Sequence, residues 1–257
     1  MVTTAVPADR RHRRRRQTIE EILDVAVAVM AEEGAGGLSL GEVARRMGIR
    51  TPSLYVYFDS KNALYDAIFA RGWTGILDAM NAHAASLAEV ADPRAAALTI
   101  AEDFVRWAVT NAPYAQLMFW RPVPGFEPSS QAYAAASEVL QRARELFAQL
   151  KDRGLLRADI DLAAALTAWT VLVSGVISQQ LSNAPGDGFE NGSFTRLLPD
   201  LMSMYFAYYG PEGRPDDSAG RSPASTRDST TRPQARGTHR DESKRRDAGP
   251  AAKPRRR

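Results

Sequence analysis

Residues 47–65, MGIRTPSLYVYFDSKNALY, crowd hydroxyls, aromatic rings and one ammonium into a short stretch of chain. Arg50, Thr51, Ser53, Tyr55, Tyr57 and Lys61 are of the types that hydrogen-bond to phosphate oxygens and base edges. Covalent chemistry has fewer parts to work with. Cysteine is absent, which removes thiolate nucleophiles, thiolate metal sites and disulfides. The three histidines are scattered: His12 in an arginine run, His83 inside the chain and His239 near its end. Metal and triad chemistry therefore lack a set, and His83 reads as a structural or surface residue. The GAGG at 34–37 follows a helical pattern rather than a strand, which argues against a dinucleotide loop. Asp159 and Asp161 flank a helix start, where capping accounts for them. The expectation is a protein that is not an enzyme and needs no metal or cofactor.

Positioning that stretch falls to helices on either side. Ile19, Ile22, Leu23, Ala26 and Met30 recur at helical spacing, and Gly34 closes the segment. Ser39 caps a second helix, in which Leu40, Val43, Ala44 and Met47 follow one face before the turn at Gly48. Thr51 is the expected N-cap of a third helix, with Pro52 at its first position, running to about Tyr57. Leu54 and Phe58, four apart, share the face toward the first two helices, leaving the polar residues for the other faces. Ser60 caps a longer fourth helix, in which Gly72 and Gly75 are candidate bend points. Two short helices around a glycine turn, braced by a longer one, make the helix-turn-helix pattern.

With LSLGEVARRMGIRTPSLYVYFDSKNALY in hand, residues 17–65 resemble the tetracycline-repressor (TetR) family of bacterial transcription regulators. The family pattern is met by Leu54, Tyr55, Tyr57, Phe58, Lys61 and Leu64, while Val56 stands where an aromatic is frequent and Tyr57 where His is common. The resemblance implies an all-α fold: an N-terminal three-helix helix-turn-helix DNA-binding domain and a C-terminal helical ligand-binding and dimerisation domain. It implies that Thr51, Pro52, Ser53 and Tyr57 face bases of double-stranded DNA, and that Tyr55 and Lys61 meet phosphates. Arg50 and the backbone N–H groups near Ser39 join that candidate interface. The alternative is a helical small-molecule-binding or interaction protein in which Tyr55 and Tyr57 merely pack.

Charge is unevenly spread over the 257 residues. Residues 1–16 hold six Arg against one Asp, net +5, and residues 211–257 hold 13 basic against seven acidic side chains, net +6. Both ends are poor in large apolar residues and are expected to be disordered, as an Arg-rich arm and a basic tail. Residues 17–71 carry five basic and eight acidic side chains, net −3, so the arm at Arg10–Arg16 is the natural compensation for binding a polyanion.

Residues 66–210 read as further helices, about 93–111, 113–120, 131–152, 161–182 and 193–209 beyond the fourth, with no period-two segment long enough for a sheet. The resemblance implies a pocket here for an unidentified small-molecule effector. Its candidate lining is Phe104, Trp107, Met118, Phe119, Tyr133 and Trp169, although helical spacing alone makes core packing the default for most of these. Leu166, Val173 and Ile177 on one helix and Leu201, Met204 and Tyr208 on the next are the candidate homodimer interface, with an intramolecular core as the alternative. The uncharged run 162–186 is long enough to raise a membrane span, but its Thr, Ser and Gln residues favour burial in protein. No export signal is read at the amino terminus, so the expected location is the cytoplasm, without membrane association.

Overall fold

The computed structural model describes residues 7–89 and 92–211, with residues 7–9, 82–89 and 93 described as backbone only. Among the described residues every regular element is helical, in the order α1 (Pro7–Glu33), α2 (Leu40–Arg46), α3 (Thr51–Leu54), α4 (Lys61–Glu89), α5 (Pro93–Thr110), α6 (Ala112–Trp120), α7 (Tyr133–Asp152), α8 (Leu162–Asn183) and α9 (Leu198–Tyr209). Short 3₁₀ turns at Ala35–Gly37 and Thr195–Leu197 precede α2 and α9.

Three expected starts are seen as written. The Ser39 hydroxyl accepts from Glu42 N at 3.4 Å, the Ser60 hydroxyl from Ala63 N at 3.0 Å, and the Asp161 carboxylate from Ala163 N at 2.9 Å. Pro199 lies in the first turn of α9 and marks its true start, where its missing N–H has no partner to lose. Other expectations need correcting. Helix α3 is capped by Arg50, not Thr51, and its α-helical part ends at Leu54, with residues 55–57 in a turn. Helix α1 begins at Pro7, so residues 7–16, expected to be disordered, form its first turns. Uninterrupted propensity explains this: nothing between Ala8 and Glu33 breaks a helix. The tail from 212 on and residues 1–6 lie outside the described residues.

Helix α4 is 29 residues long and runs through Gly72 and Gly75 without a break. The glycines serve close packing instead. A Cβ at Gly75 would sit 3.3 Å from the Trp107 indole, and one at Gly72 would collide with Met118 Sδ. α4 packs against α1, α5, α6 and α7.

Two apolar clusters result. The first joins α1–α3 to α4, α6 and the start of α7, from Ile22 through Leu54, Phe58, Leu64, Tyr65 and Ile68 to Val139. The boundary expected at 65/66 therefore falls inside one continuous core. The second holds α5, α8 and α9 around Phe147, Trp169, Ile177 and Tyr205. Helix α8 is long and apolar enough, by length and composition, to cross a membrane. Its Leu166, Trp169, Val173 and Ile177 are buried within the second cluster, so the run is buried in protein, as its Thr, Ser and Gln residues suggested, but these four side chains turn into the chain's own core rather than toward a partner or a pocket.

The first cluster is tied polar group by polar group. Tyr65 is fully buried and its hydroxyl donates to the Ala35 carbonyl at 2.5 Å, while Lys61 Nζ donates to Gly36 O at 3.2 Å. The GAGG turn is thus held by α4. Replacing Tyr65 by Phe strands the Ala35 carbonyl and is expected to cost about 1–2 kcal/mol. For a chain of this size that lowers the melting temperature by about 4 °C, read by calorimetry, with secondary structure unchanged.

Candidate functional site

The candidate interface is built from the inside out. Leu54 is fully buried and Phe58 nearly so, both in the first cluster, and this fixes the roll of α3 against α1 and α2. At Gly48 the backbone takes φ 67°, a left-handed turn that glycine adopts without steric cost, and this lets α3 leave α2 sharply. The turn closes on itself through Gly48 N to Arg45 O at 3.1 Å and Ile49 N to Ala44 O at 3.0 Å.

Exposure then sorts the candidate residues. Arg50, Pro52, Ser53 and Tyr55 are exposed, Tyr55 by 52%, and Ser39 is exposed at the foot of α2. Thr51 and Lys61 are half-buried. Tyr57 is also half-buried and packs on the first cluster, with the Arg15 guanidinium 5.3 Å from its ring centre. Its ring is thus shared between the core and the arginine helix. Lys61 donates to the Gly36 carbonyl and lies 5.4 Å over the Tyr65 ring, which leaves two of its ammonium donors for another acceptor. The chain brings Arg50, Pro52, Ser53 and Tyr55 together on a solvent-facing surface around α3, with the exposed side chains of Arg10–Arg16 on the adjoining helix.

An ion network holds α2 to α1 behind this surface. Arg46 donates through Nη1 and Nη2 to Glu32 at 2.8 and 2.7 Å, and through Nε to Glu42 at 2.7 Å; Arg45 also grips Glu42. These guanidinium hydrogen bonds hold the Glu42 carboxyl down at about 2 and depress Glu32 as well. The Glu42–Arg46 spacing of four is legible in the sequence as a helical pair. The link to Glu32, fourteen residues away, is not.

The candidate pocket residues fall into two places. Phe104, Trp107 and Phe119 pack against both apolar clusters. Phe119 lies 5.8 Å from Trp73 and 6.0 Å from Phe104, and Tyr133 reaches the same group through Phe69 at 5.1 Å. Met118 is buried nearby against Gly72. Trp169 does not join them. It is buried in the second cluster, edge-on to Phe147 and Tyr205 at 5.7 and 5.5 Å. Trp73, Phe69 and Gly72 complete the group, and helical spacing alone does not single them out.

The candidate dimer residues also divide. Leu166, Val173 and Ile177 are buried in the chain's own core and are not available to a partner, since α8 is apolar on more than one face and spacing cannot say which turns inward. Leu201 is half-buried, whereas Met204 and Tyr208 are exposed, as are Val171 and Leu197. The buried Gln180 reads in the sequence only as a polar interruption of α8. It accepts from Phe194 N at 3.1 Å and donates to Ala184 O at 2.7 Å, and so organises the α8–α9 connection.

Comparison with known proteins follows the same division. Residues 22–68 match the family described as bacterial regulatory proteins, tetR family, and residues 96–201 match the tetracyclin repressor-like C-terminal domain. The HTH-type transcriptional regulator Rv1816 of Mycobacterium tuberculosis is 28% identical over 128 residues, covering 49% of this chain and 54% of that one. The chain thus spans about half the length of that relative. The HTH-type transcriptional repressor KstR2 of Rhodococcus jostii is 27% identical over 162 residues, 59% of this chain and 76% of its own. Among solved structures, the fatty acid degradation regulator FadR of Bacillus halodurans superposes with a TM-score of 0.61 at 16% identity, covering 73% of this chain and 94% of that chain.

The network around Arg46 makes a pH prediction. Because the Glu42 carboxyl is lower in the folded state than its ordinary 4.5, its stabilisation is complete above pH 4.5 and is lost as pH falls toward about 2. Melting temperature followed over that interval is expected to fall more steeply in the native chain than in the double variant Arg45→Gln/Arg46→Gln, which lacks both guanidiniums that lower this carboxyl, Arg45 first.

Proposed function

The chain belongs to the tetR family of bacterial regulatory proteins, transcription regulators that bind DNA through a helix-turn-helix, and from that premise we propose that it is a ligand-responsive repressor acting in the cytoplasm as a homodimer on a near-palindromic operator. In this reading residues 17–65 read DNA, and residues 66–210 bind a small, mainly apolar effector and pair the two copies. The observation that carries it is the surface around α3. Leu54 and Phe58 anchor the helix in the core while Arg50, Pro52, Ser53 and Tyr55 stand in solvent, as donors and contacts for a major groove must.

Tyr55 and Lys61 are assigned to phosphates, with Ser39 at the start of α2. Thr51, Pro52, Ser53 and Tyr57 are assigned to base edges, with Tyr57 also the seat of Arg15. The arginine run, being helical, presents its charge from a fixed element against the duplex. The repressor reading is supported by the likeness to KstR2, a transcriptional repressor, and an apolar effector by the aromatic group around Trp73. Pairing is assigned to α8 and α9, whose outward side chains include Val171 and Met204, each 67% exposed. Larger apolar patches of this kind mark interfaces. Release follows if the effector favours an arrangement in which the two α3 helices no longer match successive major grooves.

Selection of genomic fragments by the full-length protein at about physiological salt tests the reading, since specific sites outcompete non-specific ones by about a thousandfold or more. An enriched near-palindrome is expected. Recovery of no common sequence, with binding that vanishes as salt rises, would replace the reading with a helical protein whose basic ends alone touch DNA. On the selected operator, changing Arg10, Arg11, Arg13 and Arg14 to Ala is expected to reduce the slope of log K against log salt by about 0.9 for each phosphate no longer neutralised. An unchanged slope would remove the arginine helix from the interface.

A further inference from the structure

Packed on the first core beside Phe119 sits an indole donor with no partner among the described residues. Trp73 Nε1 is sealed from solvent and has no hydrogen-bond partner among the described residues, although the residue as a whole is only half-buried. Buried donors of this kind are rare, because leaving one unpaired forfeits the hydrogen bond it made to water. Two arginine nitrogens share its condition but face a countercharge: Arg71 Nη1 lies 3.6 Å from Glu20 and Arg157 Nε 3.9 Å from Asp159. Trp73 is neutral, and the rings of Phe119 and Phe69 lie against it.

Those rings form a connected group. Phe119 meets Trp73 edge-on at 5.8 Å and Phe69 lies 6.3 Å away; Phe104 continues from Phe119, and Tyr133 from Phe69. Trp73, Phe104 and Phe119 are half-buried and Tyr133 is exposed, so the edge of the group meets solvent while the indole donor itself is sealed. Gly72 and Gly75 flank Trp73 in sequence and let Met118 and the Trp107 indole lie against the α4 backbone.

We propose that Trp73 Nε1 is the polar anchor of an effector site bordered by Phe69, Phe104, Phe119 and Tyr133, and that its ligand is a neutral, ring-containing apolar molecule with one accepting oxygen, such as a carbonyl. This rests on the reading of residues 66–210 as the effector-binding region and names the class of effector. The chemistry selects the class. An indole N–H only donates, so a donor-only or cationic ligand leaves it unpaired. An anion buried among these rings would bring a charge that a single neutral donor does not compensate. Flat rings suit the faces and edges of Trp73 and Phe119.

Two fluorescent probes separate the donor from the apolar surroundings. Nile red is neutral and polycyclic with a conjugated carbonyl, whereas diphenylhexatriene is apolar without an acceptor. Full-length protein is expected to bind both. Trp73→Phe, shown folded by circular dichroism, is expected to weaken Nile red about tenfold, the worth of one hydrogen bond, and to shift its emission to shorter wavelength, with diphenylhexatriene affinity unchanged. Equal loss for both probes, no loss for either, or no binding of Nile red to the native chain would overturn the proposal.

A readout on the native protein needs no variant. Of the four tryptophan indole N–H resonances, one is expected to move downfield with Nile red and none with diphenylhexatriene. If none responds to Nile red, the proposal fails. Neither probe experiment involves DNA. Failure to select an operator would therefore overturn the repressor reading without touching the anchor, and a protein that selects an operator but binds no Nile red would do the reverse.

Discussion

The first three turns of α4 are the part on which the rest of the molecule depends. Leu64, Tyr65, Ile68 and Phe69 are buried there among side chains of α1, α2 and α3 on one hand and of α6 and α7 on the other. Tyr65 shows the arrangement in a single residue. Its hydroxyl holds the turn between α1 and α2 at Ala35, and its ring lies 5.3 Å from Phe126 in the connection that leads to α7. One residue further on, Asp66 accepts from the Ser129 N–H and hydroxyl, both at 2.6 Å, and pins the same connection. Helix α4 therefore cannot shift at its start without moving both what carries α3 and what carries the aromatic group. Packed cores move between discrete arrangements rather than deforming continuously, so a helix fixed at both places suits a two-state regulator.

Electrostatics divide the labour differently. Residues 17–71 are net acidic, and much of that charge is used internally: Glu32 and Glu42 on Arg46, and Asp24 and Glu20 on Arg71. These pairs brace α1 against α2 and α4. The excess positive charge lies instead on the arginine run that precedes the core, and Arg15 over Tyr57 places it beside the turn that follows α3.

The head was largely legible in the sequence because its signals are local. Caps at Ser39 and Ser60, the glycine turn at Gly48 and the spacing of Leu54 and Phe58 each act within a few residues, and the structure carries all of them. What was not legible depends on distant partners or on which of two apolar faces turns inward. Thr51 lost the cap to Arg50 because the chain before Thr51 is extended and Thr51 itself already takes helical geometry. Leu166, Val173 and Ile177 have the spacing of an interface and are core, and Trp169 has the chemistry of a pocket wall and packs instead on Phe147 and Tyr205. Arg46 to Glu32, Asp66 to Ser129 and Gln180 to Phe194 have no sequence signature, since each is made by the fold.

If α4 is the shared element, α1–α3 and the start of α4 form one cooperative unit, and native-state hydrogen exchange of the full-length protein tests this most directly. Amides of residues 22–30, 40–46 and 61–77 are expected to exchange through a common opening of similar free energy, because their side chains share one core. If residues 22–46 instead opened at much lower free energy while α4 stayed protected, the head would be an independent domain and α4 would not be what couples it to the aromatic group.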